Sequence, residues 1–524
     1  MSITLKSKAY PQHCSGCGKK FKYGRADEGD SRYGITQCSE CSTQTISQLA
    51  IRLGKSGDEI NTPKLSDTGN AIYFAKHWMH DVVYVQEARS WFVWNGKVWE
   101  HDPEGIQMML LAKITVDHMY RKAAMIKDEK AREGALQWCK QSESVVRQKA
   151  MIESAKSLMK VMHYTDFDQH HDLLVANNCT IDLRTGKARP HDRTDYMTKI
   201  TPVDYKPEES NPNARWYKFL EEIQPGHNAC CVPFFQRMVG YMLTGETREE
   251  CFFVFYGALG RNGKGTFVET ITHVMGDWVG DASFDTFVAK KGDEKLNDIA
   301  GFRGRRLIVA SESEASKRLA ESKLKRMTGG DRVVGEFKYQ EQFAYRPTYK
   351  IALITNYKPK VVGQDNGIWD RLHLIDFPAY FGDDQKDVNL KDTLRDEAEE
   401  ILRWMVRGAV EWYKHGLQVP KCIKDNTESY RNDQNVLGQF LEERCAQSPE
   451  LTVSKRDLYD DYHLWAERSG EYVMGKVEFW ERMSVMFEEG RSKAMRYFKG
   501  VGLKSSSMDS DTQDALAKAA FGDD

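Results

Sequence analysis

The stretch that most restricts the fold runs from Cys251 to Thr266. Cys251-Phe-Phe-Val-Phe-Tyr256 is a short continuous apolar run, the pattern of a strand buried on both faces of a parallel sheet. It opens directly into Gly257-Ala-Leu-Gly260-Arg-Asn262-Gly263-Lys264-Gly265-Thr266, and a helical pattern follows. Strand, glycine loop and helix in that order make a phosphate cradle. Backbone N–H groups wrap the phosphates, the helix N-terminus adds the positive end of its dipole, and the lysine neutralises charge between the outer phosphates. Gly257, Gly260, Asn262, Gly263, Lys264, Gly265 and Thr266 are therefore the expected ligands of a nucleotide, ATP with Mg2+. The loop departs from the usual pattern twice. Counting back from Gly263 puts Ala258 where the first glycine is usual, so the loop carries either a substitution or one extra residue after Gly257. Gly265 follows Lys264, so the first hydroxyl for Mg2+ comes one position late, at Thr266.

A hydrolase built on such a loop also needs an acidic group at the end of a neighbouring strand, to hold Mg2+ and polarise water. Arg306-Leu-Ile-Val-Ala-Ser311-Glu312-Ser-Glu314 supplies it, with Leu307 to Ala310 as the buried strand. Glu312 leaves the carboxyl end of that strand, where open α/β sheets bind ligands, and Glu314 is its rival. A solvated surface glutamate is the plain alternative for either; closeness to the strand end favours Glu312. A third strand, Tyr349-Lys-Ile-Ala-Leu-Ile-Thr355-Asn356, ends in an uncharged polar pair suited to sensing a γ-phosphate, although Asn356 alone would be a strand-end turn residue. Trp369-Asp370-Arg371 then leads into another apolar strand that ends at Phe377.

The rest of the chain sets this unit among others, since 524 residues suffice for about three or four domains. Cys14-Ser-Gly-Cys17 and Cys38-Ser-Glu-Cys41 are two paired-thiol turns twenty residues apart, the spacing of a closed, structural four-thiolate Zn2+ ribbon over 1–50. Residues 51–66 read as a linker. Over 67–240 the pattern is α+β: strands at Val82 to Val85 and around Trp91, an Asn95-Gly96 hairpin turn, and helical spacing in Met109, Ala112, Val116 and Met119, then in Met151, Ala155, Leu158 and Val161. The tryptophans suit a base-stacking platform, but their alternation along a hairpin favours core. The nucleotide core spans 241–420. Helices and a closing strand pair over 421–503 look like a winged helix, and 504–524, rich in Asp, reads as a disordered acidic tail.

Charge is balanced overall, with 75 Lys+Arg against 77 Asp+Glu, so any polyanion site must be local. Such a site exists in residues 301–350, where 12 basic residues face 6 acidic ones. Within it Val333 to Tyr339 and Phe343 to Arg346 flank a polar turn, a hairpin with Lys338 and Tyr339 near its tip that suits phosphate contact and base stacking. The plain alternative is a solvated edge hairpin. No apolar run approaches the ~18 to 20 residues of a spanning helix, and the N-terminus has no signal-peptide pattern, so the expectation is a cytoplasmic chain with no membrane partner and with reduced cysteines.

The order of these parts resembles the superfamily 3 helicases, in the branch of phage and plasmid replication proteins related to the poxvirus helicase-primase. Beyond the loop, Asn177 to Asp192, Phe235 to Gly245, Lys325-Arg-Met-Thr-Gly-Gly330-Asp331 and Thr355-Asn356-Tyr-Lys-Pro359 are similar to that family's blocks, and the likeness covers Asp67 to Leu503. It implies a multidomain α/β protein with an AAA+-like ATPase core, a homo-oligomeric ring, a hexamer, and ATP-driven travel along single-stranded DNA at forks. It also implies Arg371 as a finger reaching the neighbouring subunit's nucleotide, and tips the Lys338/Tyr339 hairpin toward DNA. Relatives often carry a primase-polymerase domain upstream; the stretch before Asp67 is too short for one, so a separate primase or polymerase is the expected source of primers. Two rivals use the same core: a DNA-packaging ATPase, and an origin-binding or loader protein with little unwinding.

Overall fold

The computed structural model describes residues 64–504, except 209–210, 290–298, 313–316, 337–341, 364, 472 and 493–494. The four-cysteine ribbon, most of the linker, Glu314, Lys338, Tyr339 and the tail from 505 lie outside the described residues. The chain divides after His163 into two compact units. That division falls inside the 67–240 stretch that the sequence reads as one domain.

In the first unit, Ser66 caps helix Asp67–Trp78 by accepting from the Gly69 N–H at 3.0 Å. A four-stranded sheet follows, in the order 99–102, 90–94, 82–85, 161–162. Helices Ile106–Ala124, Glu129–Ser142 and Val145–Ala155 complete the unit. Trp91, Trp94 and Trp99 are all buried, so they are core and not a stacking platform. The hairpin turn differs from the two-residue form expected. Only Gly96 has a positive φ, +98°, while Asn95 works through its side chain, whose Oδ1 accepts from the N–H groups of Lys97 and Val98. The last helix also stops early. A 3-10 turn, Lys156–Leu158, replaces it, and Leu158 and Val161 are exposed.

The second unit is built on five parallel strands: β1 (Phe252–Tyr256), β2 (Val279–Ser283), β3 (Leu307–Ser311), β4 (Lys350–Thr355) and β5 (Leu372–Asp376). Their order across the sheet is β5-β1-β4-β3-β2. Because β1 is flanked by β4 and β5, Val254 lies opposite both Leu353 and Leu374. Both faces are covered, as the unbroken apolar runs require. Phe252 and Val254 pack with Ile308, Leu353, Phe302 and Leu324 on one face. On the other, Phe255 meets Phe267 and Phe377, with ring centroids 6.0 and 5.8 Å away.

Helices α1 (Asn228–Leu243), α2 (Lys264–Met275), α3 (Ala398–His415) and α4 (Lys421–Asp433) surround this sheet. α1 and α3 cross in backbone contact. A Cβ on Gly240 would lie 2.1 Å from the Ala409 nitrogen, and one on Gly408 would lie 1.9 Å from the Gln236 carbonyl oxygen. The segment from Tyr164 joins this unit through buried Arg306, which precedes β3. Its guanidinium donates to the carbonyls of Leu243, His170 and Leu173 and stacks 4.0 Å from the Trp278 ring centre.

The sequence places α4 with the C-terminal domain, but α4 packs on β5. Thr427 Oγ1 accepts from the Leu374 N–H at 3.1 Å, satisfying a donor on the edge strand, and Tyr430 is fully buried against Trp369. Beyond it stand helices Val436–Arg444, Lys455–Ser469 and Lys476–Met486, with an antiparallel sheet in the order 445–454, 496–503, 489–491. Phe440, Tyr462, Phe479 and Phe498 form their core. Among the described residues no helix is long and apolar enough to cross a membrane.

Candidate active site

The glycine loop turns between β1 and α2 with little spare room. Gly257 is buried, and a Cβ there would lie 1.9 Å from the Asn262 side-chain nitrogen. It is therefore Gly257, and not exposed Ala258, that must lack a side chain. Asn262 staples the loop. Its Nδ2 donates to the Leu259 carbonyl at 2.9 Å, and its Oδ1 accepts from the Lys264 N–H at 3.3 Å. Gly263 has φ +79°, and a Cβ there would also strike Ile223. As the N-cap of α2 it offers no side chain to the first-turn N–H groups. Gly260 and Gly265 are exposed, and Thr266 is half-buried in the first turn of α2.

Sheet order decides what faces this loop. β4 is the neighbour of β1, so the Thr355-Asn356 end lies directly beside Lys264. The lysine Nζ donates to Asn356 Oδ1 at 2.8 Å and to the Thr355 carbonyl. Lys264 is only 6% exposed, and burial pushes its ammonium down to about 8, with Asp376 pulling the other way. Asp376 closes β5 on the other side of β1. Burial raises its carboxyl above the usual range, against the pull of Lys358, Lys264 and His227.

Glu312 stands one strand beyond Asn356. Its N–H continues the ladder by donating to the Ile354 carbonyl at 2.8 Å. Two strand spacings of ~4.8 Å set it about 10 Å from the line of β1. Its carboxylate is buried and paired with Lys317 at 3.3 Å, and Lys317 also holds Asp285 at 3.0 Å. Sequence reasoning missed Asp376, Lys317 and Asp285. Asp376 and Asp285 each sit at or just beyond the carboxyl end of a strand, which was the available signal; Lys317 had none.

Arg371 is at the opposite edge. It precedes β5, and its carbonyl accepts from the N–H of Phe252, the first residue of β1. Five residues at ~3.3 Å separate the two ends of β5 by roughly 16 Å, more than an arginine can span. Within one chain, then, Arg371 and Lys264 are not brought together. The arginine pairs with Glu250 at 2.5 Å. It also donates to the Gly367 carbonyl at 2.8 Å. Of the proposed DNA hairpin, strands Val333–Gly335 and Phe343–Tyr345 pair antiparallel as expected, and its tip lies outside the described residues.

Fold and site together define a multidomain α/β protein whose polar residues gather at the carboxyl edge of a parallel sheet. The family model described as D5 N terminal like matches residues 71–225. A family of unknown function, DUF5906, matches 255–371, the stretch from the glycine loop to Arg371. A putative helicase of Acanthamoeba polyphaga mimivirus is 24% identical over 57% of this chain and 33% of its own length. Primase D5 of fowlpox virus is 22% identical over 68% of this chain and 46% of its own length. A putative primase of African swine fever virus is 23% identical over 61% and 35%. The chain thus spans less than half the length of each of these relatives. The apo structure of the NrS-1 C-terminal region is similar at a TM-score of 0.44 and 10% identity, covering 83% of this chain and 99% of that one. The chain is related to the D5-like superfamily 3 helicase-primases of large DNA viruses.

Proposed function

We propose that this chain is an ATP-driven DNA helicase that acts at forks during replication of a virus, phage or plasmid, translocating on single-stranded DNA as a ring. One observation carries the reading. Lys264 on the glycine loop is hydrogen-bonded to Asn356 on the adjacent strand, with the Glu312 carboxylate one strand further along the same edge. That is the order of parts a phosphoryl-transfer site needs: charge on the phosphates, a polar group beside the terminal one, and an acid within reach of a water.

In this reading the α2 first-turn amides and Lys264 grip the triphosphate, and the lysine exchanges the Thr355 carbonyl and Asn356 amide oxygen for phosphate oxygens. Asn356, released from Lys264, then contacts the terminal phosphate. Glu312 orients the attacking water and accepts its proton once Lys317 yields. A hydroxyl and a carboxylate are hard oxygen donors that suit Mg2+. Thr266 and Glu312 would hold the ion, which when bound spreads the negative charge of the phosphates. Arg371 serves the neighbouring subunit's nucleotide. Its half-exposed pair with Glu250 is worth no more than ~1 kcal/mol, so a neighbour's phosphate can displace the carboxylate. The basic 301–350 stretch and the C-terminal helices with their winged-helix-like sheet supply DNA contacts.

A forked duplex with one labelled strand tests the reading. ATP-dependent displacement by the wild type, lost in Lys264→Ala, is expected; ATP hydrolysis without displacement would instead favour a packaging ATPase or a loader. The names of two relatives favour a second reading, primer synthesis. Formation of short oligonucleotides on single-stranded template with nucleoside triphosphates, unaffected by Lys264→Ala, would support it.

A further inference from the structure

Three cysteines and a histidine that take no part in the site above meet where α1 and α4 begin. His227 precedes α1, Cys230 and Cys231 lie in its first turn, and Cys422 is the second residue of α4. The sulfurs of Cys230 and Cys422 are 3.4 Å apart, those of Cys231 and Cys422 3.5 Å, and those of Cys230 and Cys231 3.8 Å. Ligand atoms of His227, Cys230 and Cys422 all lie within 4.8 Å of one another.

We propose that these residues form a second Zn2+ site, with Cys230, Cys422 and His227 as ligands and the Cys231 thiol beside them as the nearest further donor. The spacing carries the argument. Four ligands placed tetrahedrally about zinc at Zn–S ~2.3 Å have sulfurs about 3.8 Å apart, whereas a disulfide needs ~2.05 Å. All three separations lie near the first value and far from the second. Two thiolates from one helix turn and one from another helix are also soft donors of the kind zinc selects over Mg2+ or Ca2+.

The position gives the metal a structural task. Gln224 Nε2 donates to the Asp376 carbonyl at 2.7 Å, and His227 bears on the Asp376 carboxyl, so the turn before α1 lies over the carboxyl end of β5. Zinc here ties the helix that precedes β1 to the helix that packs on β5. No local pattern marks this cluster, because Cys230 and Cys422 are 192 positions apart and no paired-thiol spacing links them.

Zinc per chain, measured on the full chain purified with reductant and without chelator, tests the site independently of the ATPase reading. Two equivalents are expected: one in the four-cysteine ribbon and one here. Cys14→Ser with Cys38→Ser should remove only the first, and Cys230→Ser with Cys422→Ser only the second. If the latter pair fails to fold, cobalt loading of the ribbon variant still decides, since a thiolate-to-cobalt absorption band is expected there. Wild type with one zinc that persists in the ribbon variant would support this site and remove the ribbon. A ribbon variant with neither zinc nor a cobalt band overturns the proposal, as does a Cys230–Cys422 disulfide found by intact mass in the reduced preparation.

Discussion

Lys264 shows how a single side chain's chemistry follows from its surroundings. Burial holds its ammonium at about 8, so the chain without nucleotide loses this charge as pH rises through that value. Phosphate favours the ammonium form and must raise that value on binding. ATP affinity should therefore be flat below pH ~7 and weaken above pH ~8, approaching tenfold per pH unit until the bound-state value is reached. Lys264→Ala should bind ATP more weakly at every pH and lose this slope. Titrations at pH 7 and pH 9 check it; a wild-type affinity unchanged between them would show that Lys264 is not the phosphate contact. At this scale the sequence was most legible where chemistry and strand position coincide. The places of Lys264, Asn356 and Glu312 beyond strand ends were readable because each lies downstream of an apolar run. Asp376 was passed over because its closeness to Lys264 depends on β5 lying beside β1, which no local pattern encodes. Lys317 was hidden for the same reason, its partners Asp285 and Glu312 lying at the ends of different strands.

Elements were legible where periodicity was unbroken. Four of the five parallel strands are largely apolar runs and could be read; β2, Val279-Gly-Asp-Ala-Ser283, carries no such run and was not. The strand Cys445–Ser454 was not legible. It contains Pro449 and polar residues, and its pairing with 496–503 shifts register between Gln447 and Thr452, so neither alternation nor composition marks it. α4 was misassigned because its amphipathic pattern does not say which surface it covers. The α1–α3 crossing offers a test of packing at this scale. A methyl group at Gly408 would enter the Gln236 backbone, so Gly408→Ala should cost about 1–3 kcal/mol or more and lower the melting temperature by roughly 5 °C. Gly134→Ala, in a helix where a Cβ meets nothing within 4 Å, should instead stabilise by roughly 0.5–1 kcal/mol. Calorimetry on both variants checks the pair; a neutral Gly408→Ala would mean that the two helices do not cross in backbone contact.

At the scale of the whole molecule, the sheet sets a geometric limit that the sequence alone could only suggest. Lys264 is at the carboxyl edge and Arg371 at the amino edge, so a chain acting alone cannot place both on one triphosphate. Assembly is what would bring a second chain's Arg371 to the site, and a finger of this kind is worth on the order of 10³ or more in rate. Lys264→Ala and Arg371→Ala proteins should each be inactive alone. Mixed rings would contain some interfaces with an intact glycine loop from one chain and an intact arginine from the next. The direct measurement is ATPase activity of the two variants before and after mixing, with co-assembly verified by differently tagged chains. Partial recovery of hydrolysis on mixing is the predicted result; no recovery in demonstrably mixed assemblies would contradict a site shared between subunits.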